Sequence, residues 1–235
     1  MKTKLITTLV FTLAASIHGG DLGKLIFSDD FERSESQEKK DEVGKGWGTN
    51  SRTRAKGNKQ VDLRDGAMYI YIHKEADHAV SVTHPAEFRD GAVAMRFMLE
   101  DPKDVLGLDF ADLKYKEVHA GHLFKVTVNT RNVMIDDMKT GGMNMKFYEA
   151  KKAKQLSAEQ KKYLAGTKKV FPNKLAAGKW HDLLVEIEGE KVSASINGKR
   201  VASFSSEGFA HPTKRMLRLS VPKQAVVDDV KIYAR

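Results

Sequence analysis

The stretch Gly178–Phe204, GKWHDLLVEIEGEKVSASINGKRVASF, decides the fold. Its residues alternate between apolar and polar, the two-residue period of a half-buried strand. Gly189-Glu190 and Asn197-Gly198 interrupt the alternation as the tight turns of a meander. Asn-Gly is the stronger signal, because both central residues of a type I′ turn need positive φ. Downstream, RMLRLSVP and AVVDDVKIYA continue the β pattern to the end of the chain. Upstream the same period recurs. DGAMYIYIH sets Met68, Ile70 and Ile72 on one face and Tyr69, Tyr71 and His73 on the other. HAVSVTH and GAVAMRFMLE follow, the second aligning Val93, Met95, Phe97 and Leu99 toward a core. Turn signals at Asp65-Gly66, Lys74 to Asp77 and Asp90-Gly91 separate these runs. VLGLDFA, HLFKVTVNT and NVMIDDM supply further strands.

About a dozen short strands with turns every ~8 to 12 residues predict an all-β fold. A single sheet would leave one face of this apolar content wet, so the expected form is a two-sheet antiparallel jelly-roll sandwich. One passage is helical: QLSAEQKKYLAGTKKVF opens on a capping box, Ser157 with Gln160, and ends at Gly166. It lies in a lysine-rich insert spanning about residues 139–177, an excursion from the scaffold. The predicted organisation is a signal peptide at 1–19 and one sandwich domain at 20–235.

The signal peptide is read from MKTKLITTLVFTLAASIHGGD, with Lys2 and Lys4 before an apolar run and the small residues Ala14, Ala15 and Ser16 after it. The run is too short to span a bilayer, and no later one approaches the ~20 apolar residues a membrane helix needs. A secreted or periplasmic protein is expected. It has no cysteine, so no disulfide braces it. The formal charge of +9 falls by two when Lys2 and Lys4 leave with the signal. A basic exported surface points to glycan, in particular anionic polysaccharide, or else to a merely solvated lysine-rich face. No recognised nucleic-acid motif is present.

FSDDFER, GKGW, VDLRDGAMYI, the Gly178–Phe204 stretch and VVDDVKIY together resemble the concanavalin A-like lectin/glucanase sandwich. More narrowly they resemble the laminin G-like and 3-keto-disaccharide hydrolase-domain proteins that polysaccharide-degrading bacteria export. The resemblance covers the chain from about Leu25 onward and implies the fold more firmly than an activity. It also implies a structural calcium ion. The acidic doublets Asp29-Asp30 and Asp228-Asp229 lie near the two ends of the domain, and terminal strands of such sandwiches lie side by side. Loop carboxylates there could supply some of the six to eight oxygens calcium takes, or serve only as turn residues.

Two further sets could carry chemistry. In KEVHAGHLFKVTVNT, residues 116–130, His119 and His122 precede a strand. On a strand their rings would point to opposite faces, and only a turn at Ala120-Gly121 would bring them together. Asp109, Asp112 and Glu117 are candidate partners, and a neutral histidine beside a carboxylate is the usual general base. The alternative is a pair of loop histidines bonded to backbone. The second set comes from alternation: Tyr69, Tyr71, His73, Arg96 and Asp109 point away from the core and could line one glycan cleft, aromatic platform beside charged groups. Otherwise the tyrosines are a cross-strand pair on an exposed face. Trp47 and Trp180 sit in scaffold motifs and are expected in the core.

The E-x-D-x-x-E or E-x-D-x-E strand motif of retaining glucanases is missing, which excludes that mechanism. R-x-E-L-R, Q-I-H, G-x-S-x-G and H-E-x-x-H are missing too. Two functions remain open. One is an exported glycan-binding module using Tyr69, Tyr71, His73 and Arg96. The other is a sugar-active hydrolase or lyase using His119, His122 and Asp109.

Overall fold

Alternating apolar residues with no long helix leave two stacked sheets as the way to bury them, and a computed structural model describing residues 21–235 has that form. The first sheet runs in the order β13 (Lys199–Ser205), β12 (Lys191–Ile196), β11 (Trp180–Glu188), β6 (Gly91–Met98), β15 (Gln224–Ala234), β4 (Ala67–Tyr71), β3 (Val61–Arg64). β1 (Lys24–Asp29) joins the far half of β15 beyond β4. The second sheet runs β10 (Lys168–Pro172), β9 (Asn132–Asp137), β8 (His122–Asn129), β7 (Val105–Ala111), β14 (Lys214–Val221), β5 (Val80–Phe88), β2 (Gly48–Thr49). All pairings are antiparallel. This is a jelly-roll sandwich.

The inward residues of both sheets form one core. Val93, Met95 and Phe97 of β6 and Leu183, Val185 and Ile187 of β11 belong to the same cluster as Leu106, Leu108 and Phe110 of β7 and Leu217, Leu219 and Val221 of β14. Alternation therefore sends Arg96 to the outer face of the first sheet and Asp109 to that of the second. The two cannot line one cleft, and the expected grouping is corrected in that respect. Ile72 also departs from expectation: β4 ends at Tyr71, and the isoleucine beyond it is 38 % exposed. At Asp65-Gly66 and Asn197-Gly198 both residues take positive φ, as type I′ hairpins require.

The insert carries two helices, α2 (Met145–Lys152) and α3 (Ala158–Gly166), and then β10, which extends the second sheet. α1 (Ser51–Arg54) is a single turn elsewhere. The Ser157–Gln160 capping box is present. Asp137, fully buried, ties the insert down, accepting hydrogen bonds from Thr140 N and Oγ1, Ser206 Oγ and Gly208 N. No helix among the described residues is long and apolar enough to cross a membrane. The expected signal peptide at 1–19 lies outside the described residues.

Candidate functional site

The outer face of the second sheet concentrates the chemistry. Strand register lines up Lys168, Asp136, Lys125, Asp109 and Arg218 in one row across β10, β9, β8, β7 and β14. Their charges alternate, so each carboxylate lies between two cations. The next row carries small or slender side chains over β8, β7, β14 and β5, namely Thr127, Gly107, Ser220 and Ser81, and larger ones, Met134 and Val170, over β9 and β10. The middle of that row is therefore low, and the Lys125 side chain lies over Gly107. A Cβ at Gly107 would sit 3.2 Å from the Lys125 side chain and 3.3 Å from the Ser220 carbonyl, a tight fit. Burial, the largest effect, pushes Asp136 up despite Lys168 and Lys125.

His122 joins this row through an irregularity in the β7–β8 pairing between Phe110 and Ala111. Its Nδ1 lies 2.5 Å from Asp109 Oδ2. Asp109 is 2 % exposed, and its other oxygen is buried with no hydrogen-bond partner. Arg218 Nη1 donates to Asp109 Oδ2 at 3.4 Å and lies 2.9 Å from His122 Nδ1 and 3.3 Å from Nε2. Its Nη2 donates to the Ala120 carbonyl at 3.3 Å. Thr127 Oγ1, one row away, is likewise buried and unpartnered. A buried polar atom left this way costs about 1–3 kcal/mol.

The turn before β8 brings the two histidines to one side. His119–Gly121 forms a single 3-10 turn in which Ala120 and Gly121 both have positive φ. A Cβ at Gly121 would strike the Asp112 backbone, so glycine is required. The rings of His119 and His122 end 6.5 Å apart, and Tyr148 of α2 stacks on His119 at 3.9 Å between centroids. Burial, the largest effect, and electrostatic repulsion between the two imidazoles lower the pKa of His119 from its ordinary value. The result is a stacked aromatic wall beside a charged cluster. A second Asp–His pair, Asp112 with His211 at 3.2 Å, lies at the end of β7, but both residues are buried and Arg215 closes over Asp112.

On the first sheet, Tyr69, Tyr71 and Arg96 do share an outer face, with β15 between β4 and β6. Two of its aromatic rings, Tyr69 and Trp180, are already covered by the chain's own cations. Arg64 sits 4.0 Å over Tyr69, and Arg96 sits 4.7 Å over Trp180. Trp180 is 36 % exposed and not in the core as expected, because it pairs with Met98, an outward position of β6. Trp47 is buried against Phe27, Phe31 and His84. His73 lies just beyond β4, its Nδ1 accepting from Glu75 N.

Of the expected calcium ligands, Asp29 and Asp228 are engaged by cations of the chain itself. Asp29 does pair with Val230 of β15, so the terminal strands lie side by side. But Asp29 binds Arg33 through both oxygens, at 2.7 and 2.9 Å, accepts from Trp47 Nε1 and lies 3.1 Å from Lys45. Asp228 is held by Arg96 at 3.0 Å. Among the described residues no three His, Asp or Glu side chains gather as a metal would require.

Arg218, Tyr148 and Thr127 escaped the sequence reading. Arg218 alternates with Leu217 and Leu219 and so is marked as outward, yet nothing local marks it as the partner of Asp109, 109 residues away.

No family model and no curated protein sequence matches the chain. Solved structures do. The chain is similar to the carbohydrate-binding module CBM66 from Bacillus subtilis, with a TM-score of 0.52 and 13 % identity over 79 % of this chain and 93 % of that one. It is similar to the laminarinase from Rhodothermus marinus, with a TM-score of 0.58 and 12 % identity over 90 % and 97 %. It is similar to SCLam, a non-specific endo-β-1,3(4)-glucanase of family GH16, with a TM-score of 0.56 and 12 % identity over 89 % and 90 %. The fold is thus the concanavalin A-like jelly-roll sandwich. Identities this low carry the architecture and no site residue.

Proposed function

We propose that this protein is an exported carbohydrate-binding sandwich that holds an anionic glycan on the outer face of the second sheet. The observation that carries the reading is the buried Asp109 fixing His122 beside Arg218, next to the small residues Gly107 and Ser220. Sugar sites pair an aromatic surface with charged groups that bond hydroxyls. Here the stacked His119–Tyr148 wall supplies the first, and Arg218, His122 and Lys125 the second. The similarity to a carbohydrate-binding module and to glucanases supports glycan as the ligand class. The basic composition and the export signal read in the sequence support an acidic glycan met outside the cytoplasm.

The same Asp109–His122 contact favours a second reading, a sugar-active hydrolase or lyase of the 3-keto-disaccharide hydrolase kind. When Nδ1 donates its proton to a buried carboxylate, Nε2 is left as the acceptor, the form of a general base. Arg218 would then stand where negative charge develops on the sugar.

A glycan array on the protein without its signal segment, run with calcium and followed by product analysis of every hit, tests both. Binding that Arg218→Ala abolishes and Tyr69→Ala leaves intact supports the site. The opposite pattern would move it to the first sheet. Cleaved or eliminated sugar that disappears in His122→Ala would establish the enzyme.

A further inference from the structure

A separate hollow opens where the edges of the two sheets meet. β10 ends the second sheet and β13 ends the first, and the two edges approach one another at this seam. Between the chain that follows β10 and the β12–β13 hairpin lies an open cavity of about 660 Å³. That falls within the usual ~300–1,000 Å³ range of small-molecule sites. Leu175, Ile196 and Val201 give it apolar walls, and Asn173, Lys174 and Lys199 give it donors. None of its lining residues is acidic.

Three features give the cavity a preference. Asn173 Nδ2 is buried with no acceptor, an uncompensated donor in the wall. Lys174 and Lys199 join no ion pair among the described residues, so their charge is not already neutralised by the fold. Asn197, the remaining amide of the lining, is held elsewhere: its Nδ2 lies 3.0 Å from His181 Nδ1, and its Oδ1 accepts from Asp182 N. The unused groups are therefore donors and cations above an apolar floor. That combination matches a ring with an apolar face and an anionic substituent.

We infer that this seam cavity is a second binding site, for a single sugar unit carrying an anionic group, either the carboxylate of a uronic acid or a sulfate ester. It lies away from Asp109, His122 and Arg218 and does not depend on the function proposed for them. A chain engaging glycan at both places would hold two units of one polymer, or two polymers, with the gain of two-point attachment.

The test is an amide NMR titration of the ¹⁵N-labelled chain with glucuronate, glucose 6-sulfate, glucose and inorganic sulfate in turn. The expected result is saturable shifts of residues 173–175 and 196–201 with glucuronate or glucose 6-sulfate. The sugar that gives the tighter response identifies the anion. Binding should weaken at least tenfold in Lys174→Ala/Lys199→Ala and in Asn173→Ala, and persist in His122→Ala. The lysine variants alter the cavity rim without touching the core, so loss of binding there does not reflect misfolding. An equal response to glucose would overturn the anionic requirement, and an equal response to inorganic sulfate the sugar requirement. Shifts unaffected by the variants, or no saturable shift with any of the four, would overturn the site.

Discussion

Asp109 Oδ2 meets His122 Nδ1 at 2.5 Å from a carboxylate that is almost wholly buried. The pair arises because β7 and β8 are neighbours and an irregular register step brings His122 level with Ala111, two residues past Asp109. Asp109→Asn keeps the shape and removes the charge, so His122 and Arg218 lose their common anchor. We expect at least a tenfold loss of glycan affinity and a lower melting temperature, since the nearly buried Arg218 loses its counter-ion. Arg218→Ala should lose affinity and also stability, by roughly 1–3 kcal/mol, because the buried carboxylate loses one of its two flanking cations. Calorimetric binding and thermal melts on the two variants check this. Wild-type affinity in both would remove the cluster from the binding site.

Asp29 gives the fold an acid limit. Burial alone would raise its pKa, but hydrogen bonds from Arg33, Lys45 and Trp47 outweigh burial and bring it to about 2, below the ordinary 3.8. A depressed carboxylate stabilises above its unfolded value and loses that contribution as pH falls through the folded one. The difference is on the order of 2 kcal/mol. Denaturant unfolding from pH 5 down to pH 2 should therefore show a progressive loss in the wild type that is blunted in Asp29→Asn. Because the chain's own cations fill this carboxylate, a chelator should leave the melting temperature unchanged. A drop in chelator that Asp228→Ala or Asp229→Ala abolishes would restore calcium to this end of the sandwich.

Asp228 behaves oppositely. Burial, with Asp229 and Glu32 nearby, pushes it up to about 6 despite the Asp229 amide and Arg96. Its folded value lies above the unfolded one, so its contribution is fully present below pH ~4 and is lost as pH rises through ~6. Asp228→Asn should remove this slope, leaving the variant relatively more stable at pH 8 than at pH 4 in comparison with the wild type. Urea unfolding at the two pH values measures it. An unchanged slope would show that Asp228 titrates normally.

The scaffold was legible because its signals are local. The two-residue period at Met68, Ile70, Val93, Met95 and Phe97 reports burial directly, and Asn197-Gly198 reports its own turn. The site was half legible for the same reason. His119 and His122 lie together in sequence, and Gly121 announces the turn that places them. Arg218 could not be found this way, since its link to Asp109 exists only through the β7–β14 pairing. The grouping of Arg96 with Asp109 failed because alternation states that a residue faces outward and is silent on which sheet it leaves. Trp180 failed similarly: its outward direction follows from its pairing with Met98, a long-range fact.

Asp137 is the buried side-chain anchor of the insert, and that gives the sharpest stability prediction. Asp137 is fully buried with no cation beside it, and four donors from Thr140, Ser206 and Gly208 satisfy its carboxylate. Gly208 packs so closely that a Cβ would collide with both carboxylate oxygens. The backbone of Gly208 is not in the left-handed region, so the cost of substitution is steric and not conformational. Gly208→Ala must push Asp137 away and strand several of its donors, which should cost about 2–4 kcal/mol. Asp137→Asn keeps the volume but replaces an acceptor by a donor facing donors, and should cost a comparable amount. Hydrogen exchange would locate the loss: protection should fall first at Thr140, Thr167 and β10, where the insert rejoins the second sheet. Uniform loss across the sandwich would instead make Asp137 a support of the whole core.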